Sequence, residues 1–150
     1  MNSISIKLFF GILAVSAFGL NLLWEGIQMS LYSSLDETSV FTKIIIHIAA
    51  SLGDAVITLG AYLLIALIRW DVRWWQAARF RDFFIFAVFG AISATLIELV
   101  AINRGIWIYG SDMPIVPLLN IGLLPLLQLT ILLPTALWFA FKWCGRWEVK

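Results

Sequence analysis

Three carboxylates lie inside apolar runs of this chain: Glu25, Asp54 and Glu98. So does its single histidine, His47. An acid near the centre of a membrane span costs roughly 2.5–3.5 kcal/mol on insertion scales, so such groups face a bundle interior or a cavity and read as functional by default. Imidazole and carboxyl together move protons, as a relay or as general acid and base. The catalytic candidates are therefore Glu25, His47, Asp54 and Glu98. Glu25 and Glu98 read as acid/base carboxylates and His47 as a proton relay. Asp54, with Gln128, reads as the group that orients substrate or water at a cavity floor. The same four residues are acceptable ligands for one divalent ion. No ligand motif at short spacing accompanies them, so no metal ligands are assigned and the cofactor is left open.

Spacing puts these groups on helix faces. Asn21, Glu25, Gln28 and Tyr32 fall at i, i+4, i+7 and i+11, which is one stripe, and His47, Ser51 and Asp54 form another. Seven residues carry His47 and Asp54 about 10 Å apart along a helix, so each needs a partner on a different helix. Glu25 and Glu98 match His47 in depth. Ala94 and Thr95 lie on the face behind Glu98, and Asn120 and Gln128 are two turns apart. Gly26 and Gly53, beside two of the acids, allow close helix approach. Pro125 would free a backbone carbonyl at the same depth.

All these polar groups fall in one half of the membrane. The other halves read Phe9-Phe10, Leu63-Leu64-Ile65, Phe83 to Phe86 and Leu137-Trp138-Phe139. The expectation is a polar cavity open on one side and sealed on the other. The stretch from Arg104 to Pro114 would rim it. Arg104 would pair with Glu98 or bind an anionic head group, and Trp107 and Tyr109, at period two, share a face of an extended segment. Substrate-binding candidates are thus Asn21, Gln28, Arg104, Trp107, Tyr109, Asn120 and Gln128. The plainer readings are structural: Ser51 bonding its own backbone, Arg104 snorkelling, and Trp107 and Tyr109 anchoring at an interface.

These residues need spans to position them. The chain has 150 residues, 62% apolar and 13% charged, against 45–50% and about 25% for a soluble domain. A chain this apolar cannot cover a water-facing surface. The net charge of +1, with few and scattered basic residues, excludes nucleic-acid binding, and the apolar content excludes disorder. One cysteine, Cys144, excludes a disulfide framework and a cysteine-based zinc site. Four segments are long enough to cross a bilayer: about 8–32, 44–68, 83–102 and 118–141. Short connections and the absence of any linker composition make residues 1–150 one domain. The fold class is all-α, a four-helix transmembrane bundle.

The first apolar run, with Val15-Ser16-Ala17, resembles a signal peptide, but it continues through Leu23 and Trp24 and reads as a retained helix. Eight of the ten basic residues flank one side: Lys7, Arg69, Arg73, Arg79, Arg81, Lys142, Arg146 and Lys150. The positive-inside rule places both termini in the cytoplasm, in a plasma membrane. Trp70, Trp74, Trp75, Trp143 and Trp147 then suit the inner interface, and Cys144 sits at a reducing face. Each half also opens with a helix carrying a glutamate and then an aromatic (Glu25 and Tyr32, Glu98 and Tyr109), the pattern of parallel repeats.

Glu98, Trp107, Tyr109 and Pro114 carry a resemblance, over about twenty residues from Glu98 to Pro117. They resemble the lycopene-cyclase-type integral-membrane carotenoid-modifying proteins, which have intramembrane carboxylates and a W-x-Y element after a helix. This chain lacks a Pro-x-Glu-Glu element and is shorter than an intact cyclase. The resemblance implies acid-catalysed chemistry on an isoprenoid chain, with Glu98 as proton donor.

The sequence thus points to an integral-membrane enzyme acting on a membrane lipid or isoprenoid in a cavity open to the outer leaflet. The alternatives are a non-catalytic lipid-binding or accessory subunit, and a small transporter. Polar residues stop near Asp54, which disfavours the transporter. A second copy of the chain or another membrane protein is left open as a partner.

Overall fold

The computed structural model describes residues 3–33 and 38–147, with side chains described for 6–33 and 38–144. It is 79% helical. Helix α1 spans Ser3–Gln28 and ends in a 3₁₀ turn at Met29–Leu31; α2 spans Val40–Arg69; a second 3₁₀ turn covers Trp74–Ala77; α3 spans Phe80–Asn103; α4 spans Leu123–Trp147. All four helices are long and apolar enough to cross a membrane. The fold is an all-α four-helix bundle of the multi-pass membrane type.

Local chemistry sets the helix ends. Ser39 caps α2, its side-chain oxygen accepting from the Thr42 N–H at 3.2 Å. Trp70 ends α2 in the left-handed region, with φ 51°. Asp82, in the first turn of α3, accepts from the Arg79 N–H at 2.8 Å and forms an ion pair with Arg69. The basic side chains of Arg146 and Lys150, and the indole of Trp147, lie outside the described residues.

The fourth helix departs from expectation. Residues 118–122 are not helical. Strand β1 (Ile115–Val116) pairs antiparallel with β2 (Ile121–Gly122), Ile115 opposite Gly122 and Val116 opposite Ile121. Leu118 and Asn120 take φ of 73° and 54° in the connecting turn. An apolar run alone does not separate strand from helix, and Pro114 and Pro117 favour extended backbone before them. Two expectations fall as a result. Asn120 sits exposed in a hairpin turn, not in the outer half of a span. Pro125 lies in the first turn of α4, where proline is tolerated and interrupts no helix hydrogen bond.

The helices make three close seams, and α2 meets α3 and α4 only slightly. Helix α1 packs on α2 and on α4, and α3 packs on α4, whereas α2 scarcely meets α3. In a pair of parallel repeats the α1–α4 seam would have α3–α2 as its mate, so the packing is not symmetric. Helices α3 and α4 approach closely at Gly90, where an added Cβ would stand 2.2 Å from the Leu129 carbonyl oxygen. Gly26 and Gly53 do not play that role, since an added Cβ at either meets nothing within 4 Å.

An aromatic plug fills the end of the bundle that carries the termini. The Trp75 ring stacks on Phe9 at 4.7 Å, and Trp74 stacks on Tyr62 at 4.9 Å and approaches Phe86 at 6.0 Å. The Tyr62 hydroxyl donates to the Val72 carbonyl at 2.7 Å, and the Arg69 guanidinium lies 5.0 Å over the Trp74 ring. Trp74 and Trp75 are each 2% exposed, so they do not form an interfacial belt. They fold under the bundle because the α2–α3 connection is short and its indoles complete the apolar core. Trp70, at 90% exposed, is the indole of that loop left outside.

Candidate functional site

Above the plug the polar stripes converge. His47 Nδ1 lies 3.0 Å from Glu25 Oε2. Glu25 Oε1 accepts from Gln28 Nε2 at 3.2 Å and from Gln128 Nε2 at 3.1 Å. Every neighbour of this carboxylate is a nitrogen, as an acceptor-only group requires. Against an ionised carboxylate Nδ1 of His47 would donate, which leaves the lone pair of the neutral ring on Nε2. That nitrogen is buried and has no hydrogen-bond partner among the described residues. His47 itself is 7% exposed and lines a cavity.

Gln128 is the hub. Its Nε2 also stands 3.0 Å from Asn21 Oδ1 and 2.9 Å from Asp54 Oδ2, and its Oε1 accepts from Gln28 Nε2 at 2.7 Å. Three acceptors thus share a nitrogen with two hydrogens. Gln28 Oε1 in turn accepts from the Trp24 indole at 3.2 Å. Side chains from α1, α2 and α4 meet at one point, with the Glu25 and Asp54 oxygens both held to one nitrogen.

Glu98 belongs to a second cluster. Its Oε2 accepts from the Tyr109 hydroxyl and from the Trp107 indole at 3.3 Å. The Tyr109 oxygen accepts from the Gly122 N–H at 2.8 Å, which fixes its own hydrogen on Glu98. Oε1 of Glu98 has no partner among the described residues. Burial pushes the Tyr109 phenol up, and the hydrogen bond to Glu98 pushes it further. Burial, then the charge of Glu98, likewise raises Tyr32. Both phenols remain hydrogen-bond donors across the physiological range. Tyr32 closes this side, its ring 5.7 Å from Tyr109 and 6.2 Å from Trp107. The Gly110 N–H donates to the Leu31 carbonyl at 2.7 Å, tying the end of α1 to the loop after α3.

Between the clusters lies a cavity of about 610 Å³. Glu25, Gln28, His47, Asp54, Glu98 and Gln128 contribute its polar wall, and the remainder is mostly isoleucine, alanine and leucine from α2, α3 and α4. A mostly apolar hollow with a few convergent polar groups is the usual form of a small-molecule site. Among the described residues, no three His, Cys, Asp or Glu side chains are grouped to hold a metal ion.

The expected site residues therefore divide. Glu25, His47, Asp54, Glu98, Gln28, Trp107 and Gln128 line the cavity; Asn21 and Tyr109 brace it from behind. Asn120 and Arg104 are outside. Arg104 ends α3, is exposed and makes no ion pair among the described residues. The two aromatic N–H and O–H donors take the place at Glu98 that a guanidinium was expected to fill. Ser51 bonds the carbonyl of His47 at 2.7 Å, the structural role. Tyr32 lines the cavity and was legible on the Asn21–Gln28 stripe. The N–H of Gly122 gave no sequence signal, because its role comes from a hairpin within an apolar run.

Comparison with protein-family models, with curated proteins and with solved structures finds no match to this chain.

Proposed function

We propose that this protein is a membrane enzyme that moves protons on a lipid or isoprenoid chain held in the cavity. The observation that carries this reading is Nε2 of His47: a buried imidazole nitrogen without a partner among the described residues, on a cavity wall, with its other nitrogen fixed by Glu25. A buried polar atom left unpaired costs about 1–3 kcal/mol; among the described residues His47 Nε2 and Trp75 Nε1 are such atoms, and of the two residues it is His47 that lines the cavity. His47 is the proton acceptor. Glu25 is a positioning residue that sets the imidazole tautomer. Glu98, held at one oxygen by Tyr109 and Trp107, presents its other oxygen as the second proton-transfer group. Asp54 and Gln128 form the polar floor. A proton taken from one atom of the chain and returned at another needs no co-reactant, so the reaction class is an isomerisation or cyclisation. That is also what the likeness around Glu98, Trp107 and Tyr109 to lycopene-cyclase-type proteins implies.

We infer a plasma-membrane location with both termini cytoplasmic and the cavity in the outer half, a reading supported by the basic residues that flank the plug. The plug itself weighs against a conduit between the two faces. A lipid-binding accessory role fits the hollow too, with Nε2 of His47 accepting from an end group that is held unchanged. The test replaces Glu25, His47 and Glu98 singly and compares membrane lipid profiles with wild type. We expect one lipid to accumulate in all three strains. Unchanged profiles, with the protein folded and inserted, would refute the enzyme reading.

A further inference from the structure

The cavity is lined by mid-helix residues of α2 and α3, two helices that make little contact with each other. These helices are bridged at the plug, where the indoles of their connection pack on Tyr62 and Phe86. Beyond it they scarcely touch. Ile46, Ala50, Gly53 and Ile57 of α2 and Ala94 and Ile97 of α3 line the hollow between them.

Gly53 marks the opening. It is exposed, yet it lines the cavity, and a Cβ built on it meets nothing within 4 Å. It stands about 20 Å along a helix about 45 Å long, at 1.5 Å per residue. That position falls within the hydrocarbon core, not at a water interface.

The lining also restricts what passes. Among the described residues, Glu25, Asp54 and Glu98 line the hollow and no lysine or arginine does. A phosphate or carboxylate head group would meet three carboxyls and no cation in a low-dielectric site. At about 30 Å³ per water-sized group, 610 Å³ holds on the order of 20 chain atoms. We propose that the gap between α2 and α3, held open at Gly53, is a sideways portal through which a single hydrocarbon chain with an uncharged end passes from the bilayer interior into the cavity. The proposal rests on the lipid-substrate reading above, but it concerns binding and is measured without turnover.

The experiment uses the full chain in phosphatidylcholine nanodiscs. The probes are a photoreactive long-chain primary alcohol and its monophosphate, with labelled peptides identified by mass spectrometry. The alcohol should label α2 and α3 at the cavity in wild type. Gly53→Leu should label at least tenfold less, and so should Ala50→Leu, a second plug on the same wall. Gly26→Leu, equally free of clashes but away from the cavity, should label as wild type. The monophosphate should label at least tenfold less than the alcohol. Wild-type labelling in both plugged variants, or equal labelling by the two probes, would overturn the proposal. Lost labelling in Gly53→Leu together with unchanged lipids in the His47 variant keeps the portal and removes the chemistry. The reverse pair of results keeps the chemistry and removes the portal.

Discussion

Replacing Glu25 with glutamine should invert the tautomer of His47. Two amide N–H groups converge on Glu25 Oε1, from Gln28 and Gln128, whereas Oε2 meets only the imidazole. A glutamine there places its single carbonyl oxygen against the two donors and turns its NH₂ to the ring. Nδ1 must then accept, and the ring hydrogen moves to Nε2. The cavity-side nitrogen changes from proton acceptor to donor, with the packing nearly unchanged. Loss of a positioned base costs 10²–10⁴-fold in rate, and a wrong tautomer in a Ser-His-Asp triad costs about 10⁴. The upper figure corresponds to about 5.4 kcal/mol of barrier. Because the chain has one histidine, ¹⁵N-histidine labelling gives one pair of ring signals in detergent or nanodiscs. Wild type should show a protonated Nδ1 and a lone pair on Nε2, and Glu25→Gln the opposite. A wild-type ring protonated on Nε2, or a pattern unmoved by Glu25→Gln, would refute the orientation argument.

Two further outcomes follow from packing and burial. Gly90→Ala should lower thermal stability by about 1–3 kcal/mol, because its Cβ meets a backbone carbonyl that no rotamer moves aside. Gly26→Ala, with open space around it, should be neutral or stabilising by up to about 1 kcal/mol; equal melting temperatures for the two would contradict the packing. The phenols of Tyr32 and Tyr109 are raised above their ordinary value of 10.0 by burial and by Glu98. Groups raised by folding contribute stability that is intact below the ordinary value and lost as pH climbs through the folded one. Native absorbance at 295 nm near pH 10.5, about half a unit above the reference phenol, should therefore match in wild type and in the Tyr32→Phe, Tyr109→Phe double variant. A smaller signal in the variant would show that these phenols ionise normally.

Much of this was legible in the residues. Four apolar runs set the spans, because crossing lipid requires about 20 residues with every backbone group bonded internally. Helical period put Asn21, Glu25 and Gln28 on one face and His47 and Asp54 on another, since residues at i, i+4 and i+7 share a side whatever the helix packs against. The insertion cost of buried charge marked Glu25, Asp54 and Glu98 as groups that must turn inward.

Which groups then met was a tertiary matter. Glu25 took His47, Gln128 reached three acceptors at once, and Glu98 was held by Tyr109 and Trp107 instead of Arg104. Periodicity fixes a face, but partner choice depends on helix order and rotation, which follow from close seams such as Gly90 against Leu129. The residues 115–122 became a hairpin, and Trp74 and Trp75 a plug, for the same reason. An apolar side chain is recorded in sequence only as apolar, and whether it meets lipid, a core or a neighbouring strand is settled by what folds against it.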